Sequence, residues 1–178
     1  MKFIETEIKG LWIIEPILLN DSRGYFMESY KKEEFEKHIG KVDFIQENES
    51  VSFRNVLRGL HYQKDNTAQA KLVRIIQGKV LDVAVDLRKD SPTYGRHVLI
   101  ELSEENKRQF FIPRGFAHGF LVLSDSALFL YKIDNAYSLS TEVVVDCFDQ
   151  DIHIPWPIKK DQAIMSEKDK QGKSFRDI

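Results

Sequence analysis

Residues 80–87 show a period-2 pattern, and no other stretch limits the fold so tightly. Leu81, Val83, Val85 and Leu87 fall on one side, with Asp82, Ala84 and Asp86 on the other. That is the period of a β-strand, whose successive side chains point to opposite faces. Together with the residues before it, KLVRIIQGKVLDVAV predicts a hairpin turning at Gln77-Gly78-Lys79. HVLIEL (97–102), KRQFFIP (107–113), HGFLVLS (118–124), ALFLYKI (127–133) and TEVVVDCF (141–148) have the same β-rich character and are separated by turn formers such as RKDSPTYG and SDS. KKEEFEKHIG (31–40), dense in charge and stopped by Gly40, is the one convincing helix. Many short strands at close spacing imply an antiparallel sandwich or barrel. A length of 178 residues suits a single domain over 1–178.

Charge narrows the partners. A formal net charge of -2 provides no overall attraction for nucleic acid or anionic membrane. The N-terminal MKFIETEIKG interrupts each apolar run with a charge, unlike a signal peptide, and no apolar run reaches membrane-spanning length. A cytoplasmic address is expected. The single cysteine, Cys147, excludes an intrachain disulfide and is expected to be a small buried hydrophobe.

VLRGLHYQ (56–63) and the following strand set Arg58, His61 and Lys71 among residues that favour burial. A sheet holds such groups only when something compensates them, and a bound anionic substrate would do so. PRGFAHG (113–119) has the form Pro-x-Gly-x-x-His, which occurs in the second half of the cupin double-sheet barrel motif. Metal-binding cupins carry His-x-His on the earlier strand, whereas this chain has His61, Tyr62 and Gln63. About three converging protein ligands are needed for such a metal, and at most two of the expected set are present, so no metal site is expected. An unmetallated His61 is either a general base or a buried histidine bonded to a backbone carbonyl. Phe129, Tyr131 and Ile133 share one strand face, so Tyr131 is either core packing or a reactive phenol. Lys71 taken alone reads as a solvated lysine at a strand start.

The ordered set RGYFMESY (23–30), FIQENES (44–50), VLRGLHYQ (56–63), AKLVRIIQGKVLDVAVDLRKDSPTYG (70–95), FFIPRGFAHGFLVLSD (110–125) and SEKD (166–169) resembles the dTDP-4-dehydrorhamnose 3,5-epimerase family over nearly the whole chain. The resemblance implies a mainly β, cupin-like double-sheet jelly roll with few short helices. It also implies a homodimer exchanging N-terminal strands, and no metal or organic cofactor. The implied reaction inverts C3 and C5 of dTDP-4-dehydro-6-deoxyglucose. By this resemblance His61 is the base, Asp169 orients it, Tyr131 is the proton donor on the opposite face, and Lys71 stabilises the charge on O4. Arg58, with Arg23 from the partner chain, matches the diphosphate contacts. Phe26, Glu28, Gln46, Glu47 and Asn48 match positions around the nucleoside, and His118, Glu142 and Lys168 match further substrate contacts.

Two features depart from regularity. Arg58 and His61 stand three apart, so an uninterrupted strand would aim them at opposite faces; a bulge or bend at Gly59 reconciles them. In QENES (46–50), Glu47 and Glu49 depart from a family form nearer Gln-Asp-Asn-His-Ser, which bears on base selectivity and local packing. His38, His97 and His153 have no matching context and are expected to be solvated. SEKD can reach His61 only if the polar C-terminal tail folds back in an ordered way. Other readings compatible with the same residues are a C3-only epimerase, a 3,4-ketoisomerase, and a catalytically silent sugar-nucleotide-binding or metal-binding cupin.

Overall fold

The computed structural model describes residues 1–178. In chain order the strands are β1 (Lys2–Glu5), β2 (Trp12–Glu15), β3 (Leu19–Asp21), β4 (Gly24–Phe26), β5 (Gln46–Phe53), β6 (Leu57–Gln63), β7 (Lys71–Gln77), β8 (Lys79–Asp86), β9 (His97–Ser103), β10 (Gln109–Ile112), β11 (Phe116–Val122), β12 (Ser126–Ile133) and β13 (Glu142–Val144). Helix α1 (Lys32–His38) follows β4, and α2 (Glu167–Lys170) lies in the tail. Six strands form one sheet in the order β1-β2-β10-β7-β12-β5, and five form a second in the order β13-β6-β11-β8-β9. Within both sheets the paired strands run antiparallel. This is the double-sheet jelly roll expected from the sequence. The hairpin of β3 and β4 pairs only with itself.

The segment around Gly78 is a correction. It makes no hairpin, because β7 pairs with β10 and β12 while β8 pairs with β9 and β11. Gly78 is the point where the chain leaves one sheet for the other. Its φ is +82°, and a Cβ there would lie 2.1 Å from the Ser126 carbonyl oxygen, so only glycine fits the corner.

Three apolar layers result. Val73, Ile75, Phe110 and Phe129 from the first sheet meet Val80, Ala84, Ile100 and Phe120 from the second, filling the space between them. Leu57, Leu60, Val83, Val85 and Leu121 on the outer face of the second sheet are covered by the chain after β13, through Val145, Cys147 and Ile152. On the outer face of the first sheet, Leu72 and Phe111 are covered by α1 and its flanks. Phe35 is the anchor of that helix, fully buried with its ring edge-on to Phe111 at 5.2 Å, and burying a side chain of this size contributes about 1.5–3 kcal/mol. Glu33 and Glu34 at its start and Lys37 and His38 at its end oppose the helix dipole favourably, and Gly40 at φ +113° ends it.

The alternation of β8 explains why polar residues sit inside. Leu81, Val83, Val85 and Leu87 face the outer layer, so Asp82 and Asp86 face inward, each fully inaccessible. Asp86 is consumed structurally. Burial pushes its carboxyl up, but hydrogen bonds from Arg88, Ser91 and Thr93 outweigh this and hold it well below the usual carboxylate range. Asp82 belongs to the site described next. Cys147 is buried as expected, and its thiol is pushed up to about 12 by burial.

Candidate functional site

A cavity of about 430 Å³ opens between the sheets at one end of the interior. Strand parity decides what lines it. On β12, the face that carries Phe129 into the core also carries Tyr131 and Ile133. β5 pairs with β12 so that Gln46, Asn48 and Ser50 stand opposite Ile133, Tyr131 and Phe129, and all three reach the cavity. β7 contributes Lys71, in register with Ile133. The opposing sheet supplies His61 and Gln63 from β6 and His118 and Phe120 from β11.

Arg58 and His61 line the same cavity, and the register explains how. His61 pairs with His118 and Arg58 pairs with Phe120, so β6 carries one more residue than β11 between these points. This is the bulge expected at Gly59. Gly59 and Gly119 permit it by packing backbone on backbone: a Cβ on Gly59 would lie 2.7 Å from the Gly119 Cα, and one on Gly119 would lie 2.6 Å from the Arg58 carbonyl oxygen.

His61 Nε2 lies 2.5 Å from Asp169 Oδ1. The tail is therefore ordered where it matters: Ser166 Oγ accepts from the Asp169 backbone N–H to start α2, and the Asp169 residue is only 4% exposed. Burial pushes the Asp169 carboxyl up, but the His61 hydrogen bond and charge prevail and keep it below its ordinary value. A carboxylate only accepts hydrogen bonds, so Nε2 carries the proton and Nδ1 keeps the lone pair. Across the cavity, burial raises the Tyr131 phenol, opposed by Arg58 and Asn48, so it holds its proton at neutral pH. Lys71 keeps partial exposure only where it lines the cavity. Burial lowers its ammonium to about 8, with Asp82 and Glu142 opposing the shift. It is not the solvated lysine that its sequence context suggests.

At the mouth, Lys168 Nζ donates to Glu142 Oε1 at 2.9 Å and the Tyr137 hydroxyl donates to Glu142 Oε2 at 3.1 Å. Burial raises the Glu142 carboxyl, but these partners lower it further. Gln46 Nε2 donates to Asn48 Oδ1 at 2.7 Å, and Arg58 Nε donates to Ser52 Oγ at 3.0 Å.

Five expected residues do not line the cavity of this chain: Asp169 reaches it only through its bond to His61, and four others lie apart from it. Glu47 lies on the other face of β5 and pairs with Lys132 at 2.6 Å. Arg23, Phe26 and Glu28 are exposed on the β3 and β4 hairpin and just after it, with Arg23 engaged by Asp21 at 2.6 Å. Conversely, sequence reasoning passed over Tyr137, Gln63, Gln69 and Ser50, which line the cavity, and Asp82, which lies beneath His118. Only Asp82 carried a signal, as a carboxylate on the inward face of an otherwise apolar strand. Of the histidines expected in solvent, His38 and His153 are exposed and His97 is half-buried. No cluster of His, Cys, Asp and Glu suited to a metal ion occurs in this structure.

A sequence model of the dTDP-4-dehydrorhamnose 3,5-epimerases matches residues 5–177. The enzyme of that name from Shigella flexneri is 51% identical over 178 residues, covering 99% of this chain and 97% of the relative. The crystal structure of dTDP-4-dehydrorhamnose 3,5-epimerase from Elizabethkingia anophelis superposes with a TM-score of 0.95 at 50% identity, covering 99% of this chain and 97% of the other. That of a dTDP-6-deoxy-D-glucose-3,5-epimerase from Legionella pneumophila, in complex with dTDP-4-keto-L-rhamnose, superposes with a TM-score of 0.93 at 46% identity, covering 97% and 92%.

Proposed function

Because this chain belongs to the dTDP-4-dehydrorhamnose 3,5-epimerase family, we propose that its cavity inverts C3 and C5 of dTDP-4-dehydro-6-deoxyglucose by proton removal and return through protein side chains. The observation that carries the reading is one cavity lined by an imidazole oriented by a carboxylate on one sheet, and by a half-buried phenol and a half-buried ammonium on the other.

C3 and C5 both flank the C4 ketone, so removing either proton gives an enolate whose charge rests mainly on O4. One base and one stabilised oxygen therefore serve both inversions. His61 takes the proton on Nδ1 while Asp169 holds Nε2–H and steadies the imidazolium that forms. Tyr131, approaching from the opposing sheet, returns a proton to the other face of the ring, which is what inversion requires. Lys71 stabilises the O4 charge; a preorganised donor in such a site lowers a barrier by about 3 kcal/mol. Arg58 and Lys168 suit the diphosphate, for which guanidinium and ammonium groups provide charge-assisted hydrogen bonds. Gln46, Asn48 and the Tyr137 ring, near the mouth, suit a nucleoside.

The functional unit in this reading is a homodimer in the cytoplasm. Support for the dimer comes from the unpaired β3 and β4 hairpin, the free edge of β5, and exposed Leu19, Phe26, Val51 and Phe53. A second copy that adds its hairpin to the β5 edge would cover these residues and bring its Arg23, Phe26 and Glu28 to the mouth, near Gln46 and Asn48. No helix is long and apolar enough to cross a membrane.

The test is NMR of the product formed from dTDP-4-dehydro-6-deoxyglucose in deuterated buffer. Deuterium at both C3 and C5 with inverted configuration is expected. Label at C3 alone would make the protein a C3-epimerase, and a migrated ketone would make it a ketoisomerase.

A further inference from the structure

The cavity wall contains a second imidazole–carboxylate pair. His118 stands directly opposite His61 in the pairing of β11 with β6, and its Nε2 lies 3.0 Å from both oxygens of Asp82. Asp82 has no accessible surface. A buried carboxylate is costly unless it is compensated, and nothing in the proton transfers described above uses it.

The equal distances suit an N–H shared between two carboxylate oxygens. A carboxylic acid donating to a ring nitrogen would bring one oxygen closer than the other, whereas an N–H pointing between two carboxylate oxygens is equidistant from both. Burial raises the Asp82 carboxyl while His118 and Lys71 oppose that shift; as a carboxylate between these two partners Asp82 accepts, and His118 Nε2 carries hydrogen. Burial drives His118 away from the charged form, with Asp82 opposing, so the ring is neutral. Nδ1, the remaining polar atom of a ring that lines the cavity, is then a hydrogen-bond acceptor.

We propose that Asp82 is the positioning residue for the enolate side of the cavity: it fixes His118 in the Nε2–H form, with Nδ1 as an acceptor for a sugar hydroxyl, and provides the counter-charge for the Lys71 ammonium. The inference rests on the epimerase reading of this cavity. The groups around Lys71 are Asp82 on β8, His118 on β11, Glu142 on β13, His61 and Arg58 on β6, and Tyr131 on β12. Only Asp82 and Glu142 among them are anionic, and Glu142 is already paired with Lys168. Removing Asp82 leaves Lys71 with little to oppose desolvation.

Two measurements test this. In 15N spectra of the intact protein with labelled histidine, assigned by the signals missing in His118→Gln, His118 should show a protonated Nε2 and an unprotonated Nδ1; the reverse tautomer would overturn the proposal. This reading needs no substrate and is independent of whether His61 is the base. In Asp82→Asn, kcat should fall on the order of ten- to a hundred-fold, as expected when a carboxylate behind a working imidazole is lost. KM should stay within about two-fold, because the nucleotide is held elsewhere, and the alkaline limb of kcat should move to lower pH by about one unit. An unchanged kcat with an unmoved limb would also overturn it. If this variant does not fold, the tautomer of the unaltered protein still decides.

Discussion

His61 and Asp169 are 108 positions apart and meet at 2.5 Å, so the proposed base exists only when the tail closes on the barrel. His61→Ala should lower turnover by on the order of a hundred- to ten-thousand-fold, the usual contribution of general acid–base catalysis, while dTDP still binds within a few-fold. The discriminating readout is exchange of the C3 proton with deuterated water: it should vanish in His61→Ala, and its survival there would remove His61 from the role. In Tyr131→Phe exchange should persist while inversion is lost, because deprotonation remains possible on one face. Lys71 sets a pH dependence. Its ammonium is lowered to about 8, so the charged form is present below that value and is lost as pH rises through it. The kcat profile should fall above about pH 8, and Lys71→Met should remove that limb along with most of the rate. The roles proposed for His61, Tyr131 and Asp169 rest at the sequence level on the ordered resemblance, since a lone histidine or tyrosine in a sheet is usually packing. Tyr137 was illegible altogether, because DNAYSLS carries no periodicity that could aim a ring.

At the scale of elements, β-content, the helix and the bulge at Gly59 were readable because each has a local cause: alternation, a charged run with a glycine stop, and two cavity residues an odd number apart. The Gly78 corner was misread because a hairpin turn and a crossing between sheets share the same residues. The two are separated only by which strands pair across the molecule, which is non-local information. β5 was not read as a strand for another reason. Its Gln46, Asn48 and Ser50 face a polar cavity, and the outward face begins with Glu47 and Glu49 before Val51 and Phe53, so no apolar face runs the length of the strand. The corner can be tested. Gly78→Ala would put a Cβ against the Ser126 carbonyl at a positive φ and should destabilise the fold by roughly 2–4 kcal/mol. A lowered midpoint in thermal or urea unfolding is the expected result, with near-normal activity in the molecules that remain folded. The tail should separate chemistry from packing. Deleting 166–178 removes Asp169 together with Phe175, which packs on Tyr94 at 5.0 Å, and should abolish turnover. Asp169→Asn keeps the packing and should still cost most of the rate, so a normal rate in that variant would show the tail to be a cover only.

At the scale of the molecule, one chain closes its interior and covers both outer faces only in part. Leu19 and Phe26 on the hairpin and Val51 and Phe53 on the free strand edge are between 55% and 66% exposed, and a monomer normally protects such surfaces. Arg23, Phe26 and Glu28 project from the same hairpin without reaching this chain's cavity. The proposed twofold dimer would account for both facts, because a hairpin that crosses to a second copy would be covered there and would carry Arg23 to that copy's cavity. This leads to a complementation test that does not depend on seeing the dimer. Arg23→Ala should raise KM with little change in kcat, and His61→Ala should be inactive. If Arg23 serves the partner's cavity, a hybrid dimer contains one site with an intact His61 from the first variant and an intact Arg23 from the second. Unfolding and refolding the two variants together in equal amounts should restore ordinary KM in roughly a quarter of all sites, the share expected from random pairing of a twofold dimer. If Arg23 serves its own chain, every hybrid site remains defective and no low-KM activity returns. That outcome would assign Arg23 to the mouth of its own chain's cavity and remove the exchange of hairpins from the reading.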